Sequence, residues 1–132
     1  MADAIKSSSQ LRVLYCEGDE EVLTAQAPAL QAAGHKVETA HGRKATEQAL
    51  RQGSYDLVVL GATLSKNDRH HLPYMVKKSN VNTRVLVMHT DGERHPAVDA
   101  NLDTGRSIQD AVAKIAVVWP QAQASKAVAA GK

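Results

Sequence analysis

The chain has 132 residues, of which 43% are hydrophobic and 3% aromatic, and 16 basic and 14 acidic residues give it a net charge of +2. This length predicts one domain with an aliphatic core, and the interspersed charges argue against a nucleic-acid-binding protein, which usually has a concentrated basic face. The single cysteine, Cys16, excludes an internal disulfide and indicates a reducing compartment. Because no apolar run approaches the roughly 18 residues of a membrane span, we expect a cytoplasmic protein without membrane contact.

Strand-like and helix-like segments alternate along the chain, which predicts an α/β sheet with crossover helices. Leu11–Cys16 is a short apolar run, typical of a strand that is buried on both faces. Acidic residues at Asp19–Glu21 then favour the first turn of a helix, and Gly34 is a suitable residue to follow its end. Pro28 lies inside this helix and removes a backbone donor, so we expect a kink or an interruption between Thr24 and Pro28.

The rest of the chain continues the alternation as far as a last helix that Pro120 closes. The predicted strands are Lys36–Ala40, Tyr55–Leu60, Thr83–His89 and a weak fifth one at Ala97–Leu102, and the predicted helices are Gly42–Gln52, His70–Ser79 and about Arg106–Trp119. Residues 1–10 are predicted to be a polar N-terminal tail and residues 120–132 a C-terminal tail, and between them lies one domain at 11–119.

Acidic residues follow the first predicted strand, and the segment Asp56–Gly61 (DLVVLG) precedes a polar loop. With these features, the order of the elements resembles that of the receiver domains of response regulators. The resemblance covers Leu11–Trp119. It implies a doubly wound, five-stranded parallel sheet in the flavodoxin-like order 2-1-3-4-5, with a site at the carboxyl ends of the strands. It also implies a part in a two-component phosphorelay.

In a receiver, an aspartate after the third strand accepts a phosphoryl group with the help of Mg²⁺, acidic residues, a lysine and a hydroxyl group. The resemblance places Gly61 at the acceptor position, where glycine offers no side chain. Asp56 cannot substitute, because five strand residues of about 3.3 Å each put it some 16 Å away. Thr63 is nearer, but a hydroxyl does not form an acyl phosphate.

The other receiver positions also differ from the family pattern. Where a receiver has an acidic pair, this chain has Glu17 followed by Gly18 and Asp19. The position of the hydroxyl residue falls on His89, or on Thr90 in a shifted register. The position of the lysine falls on Thr104, and that of the aromatic switch residue on Asn101. Together these departures predict a degenerate receiver that acts independently of phosphorylation.

Two groups of residues resemble metal ligands. Glu17 and Asp19 could hold Mg²⁺, but acids at a helix start are explained more simply by the helix dipole. His70 and His71 are adjacent and would diverge on a helix, whereas ligands on one helix need spacings of three or four residues, so we expect no metal site with His89. We expect no cofactor.

The interval between His89 and Arg106 is roughly seven residues shorter than in receivers, about two helical turns. The helix between the fourth and fifth strands is therefore predicted to be shortened or missing. We expect the sheet face at Val85 and Val87 to be less covered. Exposed apolar surface tends to mark a contact site, so this face, with Ile108 and Val112, is the candidate interface for a homodimer or a partner.

The sequence supports two functions. The first is a signalling module that binds a partner protein without phosphoryl switching. The alternative is a sensor that binds a small anion or nucleotide at the carboxyl edge of the sheet. A pocket around Glu17, Gly61 and His89 would favour sensing, and a filled site would favour interaction. We do not expect an enzyme, because the sequence shows no pairing of a nucleophile with a base.

Overall fold

The three central strands of the sheet are short segments whose side chains are mostly buried on both faces, whereas the edge strand at Lys36–His41 is mostly exposed. The computed structural model describes residues 11–89, 95–103, 105 and 107–119. The strands are β1 (Arg12–Glu17), β2 (Lys36–His41), β3 (Leu57–Leu60), β4 (Arg84–Val87) and β5 (Ala100–Asn101). The predicted fifth strand is present, although it has only two residues.

At three of the four described helices, a side chain at the start supplies a hydrogen-bond partner for the first backbone amides. The described helices are α1 (Glu20–Ala32), α2 (Gly42–Gln52), α3 (Lys66–Ser79) and α4 (Ile108–Val118). Asp19 caps α1 by accepting from the amides of Glu21 and Val22, and Ser107 forms a capping box with Asp110 at α4. Such caps contribute about 1 kcal/mol each.

All strands are parallel, and their order is β2-β1-β3-β4-β5, which confirms the predicted topology. The helices cover both faces of the sheet. The first core cluster joins β1, β3 and β4 to α1 and α4, and the second joins the opposite faces of these strands to α2 and α3. No helix in the described ranges has the length and hydropathy needed to cross a membrane.

Two of the predicted helices differ from the structure. α3 begins four residues before the predicted His70, because Ser65 caps it by accepting from the amide of Asp68. Of the predicted kink or interruption of α1, the interruption is wrong, since the helix is continuous across Pro28, and the kink stays a prediction. Thr24 and Pro28 are both exposed, so the carbonyl of Thr24, which lacks its usual amide, can bind water.

Between β4 and β5, residues 88–89 and 95–99 form no helix, and residues 90–94 lie outside the described residues. The chain returns to the sheet through Asp99. Its amide donates to the carbonyl of Val85 (2.9 Å), and its carboxylate accepts from the amide of Val85 (2.7 Å) and from Lys77 Nζ (2.9 Å). These bonds attach the segment to β4.

The predicted uncovering of the sheet is wrong. Val85 and Val87 are 0% and 4% exposed, because α3 covers them and Val98 packs against the same cluster. Ile108 is buried in the cluster on the opposite face, where Val112 packs beside it. The four residues therefore lie on two faces of the sheet and do not form one exposed surface.

Replacing Asp99 by alanine should destabilise the fold, because it leaves the amide of Val85 and the ammonium of Lys77 without this acceptor. We expect a loss of about 1–3 kcal/mol in the free energy of unfolding, measured by urea denaturation. Asp103→Ala, at an exposed residue, is the matched control. Equal stability of the two variants would contradict this role of Asp99.

The protein should lose stability as the pH falls through the histidine range. Burial lowers the pKa of His35 from its ordinary 6.5, and its Nδ1 accepts from the amide of Leu11 (3.4 Å). The unfolded chain then binds the proton at a higher pH than the folded chain, so stability present above pH 6.5 is lost below it. In urea denaturation at several pH values, His35→Gln should reduce this dependence, and an unchanged dependence would contradict this role of His35.

Candidate functional site

Parallel strands bring three of the predicted residues to one edge of the sheet. Glu17 ends β1, Gly61 follows β3, and His89 follows β4. β1 and β3 are paired with Cys16 opposite Leu60, so the next residues, Glu17 and Gly61, are neighbours on the same face. The strand order reverses at this point, which is where such sheets usually place a binding site.

The side chain of Glu17 fills the space beside Gly61. A Cβ atom built on Gly61 would overlap the carboxyl group of Glu17, and Glu17 is only 1% exposed. The position at which the receiver resemblance expects an acceptor side chain is thus taken by a carboxyl group from the neighbouring strand. The site is filled from within the chain.

Three donors hold the carboxyl group of Glu17. Its Oε1 accepts from the amide of Thr63 (3.0 Å) and from the Thr63 hydroxyl (2.6 Å). Its Oε2 accepts from the hydroxyl of Tyr15, which also contacts the side-chain amide of Gln26 on α1 (2.7 Å). Hydrogen bonds to both oxygens offset part of the penalty for burying this polar group.

The hydroxyl of Thr63 uses its full bonding capacity. It donates to Glu17 and accepts from the amides of Gly18 (2.9 Å) and Asp19 (3.0 Å), and a threonine hydroxyl has one proton and two lone pairs. The loop after β3 is therefore bonded to the loop after β1. A Cβ on Gly18 would overlap the carbonyl oxygen of Thr63, so this arrangement excludes a second acid at residue 18.

The residues present do not fit a receiver's magnesium site. The carboxyl oxygens of Glu17 face Thr63 and Tyr15, and Asp19 caps α1. The third carboxylate of a receiver is absent at Gly61. Elsewhere in the part of the chain that the structure describes, no three His, Cys, Asp or Glu side chains are grouped as metal ligands.

The remaining predicted positions are only partly brought together. Asn101 lies on β5 opposite Val87, and its Nδ2 is 3.5 Å from the carbonyl oxygen of His89. Thr104 lies outside the described residues. Asp56 is at the opposite end of the sheet, as predicted, and accepts from the amide of Arg12 (2.8 Å).

Two residues beside the site have raised pKa values. Burial, followed by the hydrogen bond to Glu17, raises the pKa of Tyr15 above its usual range, so the phenol remains a donor. Burial raises the pKa of Cys16 to about 12, so this buried thiol stays protonated at neutral pH and packs as a small hydrophobic side chain.

The sequence interpretation missed the part played by Tyr15. A signal was available, because residues two apart on a strand point to the same face. Tyr15 and Glu17 have this spacing, and the hydroxyl of one reaches the carboxyl group of the other. The contact from Thr63, 46 positions away in the sequence, has no comparable local signal.

Comparisons by sequence find no matching family model and no matching curated protein. Comparisons by structure do find matches. The receiver domain of the Francisella response regulator 1452 superposes with a TM-score of 0.70 at 17% identity, over 84% of this chain and 98% of that one. The Thermotoga maritima response regulator TrrA, in complex with Mg²⁺ and BeF, superposes with a TM-score of 0.68 at 16% identity, over 81% of this chain and 97% of that one.

The chain has the receiver fold. A third match is NtrX from Brucella abortus in complex with ATP, with a TM-score of 0.68 at 15% identity, over 90% of this chain and 29% of that one. The receiver fold predicted from the element order is thereby confirmed. Within this receiver fold, the carboxyl group at the centre of the site comes from β1.

Gly61→Ala should destabilise the protein by about 1–3 kcal/mol, because the new methyl group displaces the buried carboxyl group of Glu17. Chemical denaturation measures the change. In a Glu17→Ala background the same methyl group has room, so the second substitution should cost less and the double-mutant cycle should show coupling of about 1 kcal/mol or more. Additive effects would contradict this filling of the site by Glu17.

Proposed function

We propose that this chain is a receiver-like signalling module that binds a partner protein in one fixed state, independently of phosphorylation. The observation that carries the proposal is the carboxyl group of Glu17, which takes the space beside Gly61. Gly61 has no group that can be phosphorylated, and we propose neither an enzymatic activity nor a cofactor.

Glu17 is a poor replacement for the acceptor. Its side chain is 1% exposed, and both of its oxygens accept hydrogen bonds from Thr63 or Tyr15. For phosphoryl transfer, a carboxylate oxygen must be accessible to the phosphorus atom of the donor and lie in line with the bond to the leaving group. The burial and the bonds of Glu17 oppose that approach.

The same bonds support a single state of the site. A receiver changes its surface when a phosphoryl group recruits a hydroxyl group and a lysine. Here Thr63 is already bonded to the carboxyl group and to the amides of Gly18 and Asp19. A link of this kind does not depend on a signal, so we infer a constitutive binding module.

The filled site weighs against the alternative, a sensor of small anions or nucleotides. A bound anion or nucleotide would need space beside Gly61, and the carboxyl group of Glu17 takes this space. Binding of a protein partner is therefore the better proposal.

Incubation with acetyl phosphate and Mg²⁺ should leave the protein unmodified, because the acceptor position is glycine. Intact-mass spectrometry should show no added phosphoryl group, and beryllofluoride with Mg²⁺ should leave the amide NMR spectrum unchanged. A receiver with an intact acceptor aspartate, treated in parallel, is the positive control. A phosphoryl group mapped to any carboxylate of this chain would overturn the proposal.

A further inference from the structure

One face of α3 carries exposed residues that repeat every four positions. They are Lys66, His70, Tyr74 and Lys78, which we call the α3 stripe. Residues four apart on a helix are neighbours on its surface, and twelve residues at about 1.5 Å each give the stripe a length of about 18 Å. Tyr74, near its middle, is 44% exposed.

The charge of the α3 stripe is all of one sign. The acidic residue of α3, Asp68, lies near the helix start, where it is 4.0 Å from Arg43 on α2. Lys77, beside the stripe, is paired with Asp99 at 2.9 Å. The two lysines of the stripe therefore face solvent without an acidic neighbour on the same face of the helix.

The aromatic centre of the stripe is held in place by other rings. The ring of Tyr74 lies 5.8 Å from that of His70 and 4.6 Å from that of His95. His95 Nε2 donates to the carbonyl oxygen of His70 (2.8 Å), and its Nδ1 accepts from the amide of Ala97 (3.0 Å). Because both nitrogens of His95 are bonded, Tyr74 packs against a fixed neighbour and loses less entropy on binding.

We propose that the α3 stripe is the partner-binding surface and that it binds an acidic, amphipathic segment of a protein. This inference rests on the proposed function. A central aromatic residue flanked by charged residues has the arrangement of an interface hot spot with a polar rim. Acidic side chains in the partner complement Lys66 and Lys78, and apolar side chains between them contact Tyr74.

A nucleic acid fits this face less well. Binding to a nucleic-acid backbone relies on Lys and Arg contacts to many phosphates, whereas the α3 stripe offers two lysines and the whole chain has a net charge of only +2. We therefore propose a protein partner, and the experiment below also measures whether a nucleic acid binds.

The test is selection of binders to the full chain from a random-peptide display library. Selected peptides should be enriched in Asp and Glu together with aliphatic residues, and higher salt should weaken their binding. By fluorescence anisotropy, Tyr74→Ala and the double variant Lys66→Glu/Lys78→Glu should each weaken binding of the best peptide by about tenfold or more. Circular dichroism verifies that the variants are folded.

Matched controls separate the α3 stripe from general effects of charge and apolar area. Lys36→Glu/Lys44→Glu makes the same charge change at two exposed lysines outside α3, and Val117→Ala removes an exposed apolar side chain from α4. Both should bind the peptide within about twofold of the unaltered protein.

Other outcomes would overturn the inference. These are selection of no peptide, peptides insensitive to the stripe variants, or tighter binding of a labelled DNA or RNA duplex that Lys66→Glu/Lys78→Glu abolishes. Failure of the proposed function is distinct, because it would appear as a phosphoryl group added by acetyl phosphate, whatever the peptides do.

Discussion

The buried carboxyl group of Glu17 is the constraint on which the rest of the site depends. Removing such a group from water is unfavourable by several kcal/mol unless donors surround it. Here the amide and hydroxyl of Thr63 and the phenol of Tyr15 supply them. To make these bonds, the loop after β3 must turn back toward β1, and Thr63 then also accepts from the amides of Gly18 and Asp19.

This constraint explains why two glycines occur in the site. Glycine at 61 makes room for the carboxyl group, and glycine at 18 makes room for the carbonyl of Thr63. The site is thus built around the carboxyl group of Glu17, and the two glycines leave space for the groups that bond there. A larger residue at position 61 would displace the carboxyl group of Glu17 from its hydrogen-bond donors at Thr63 and Tyr15.

The short connection between β4 and β5 is compensated in a different way. Asp99 bonds the returning chain to β4 and to Lys77 on α3, and Val98 packs against the core that α3 covers. Residues 95–99 therefore pack against the sheet although they form no helix. His95, in the same segment, reaches α3 and supports Tyr74, so the connection also shapes the exposed face of that helix.

The sequence by itself determined the elements and the edge of the sheet at which the site lies. Short apolar runs and helix-ending glycines are local signals, and the order of the elements implied the sheet order through the receiver resemblance. The tertiary structure alone decided that Val85 and Val87 are buried, that α1 continues through Pro28 and that Glu17 turns toward Gly61. These outcomes depend on contacts between residues far apart in the sequence. The side chain of Glu17 turns toward residue 61 because glycine leaves space there and because residue 63 supplies hydrogen-bond donors. The sequence pattern within a single strand or helix does not predict such a contact.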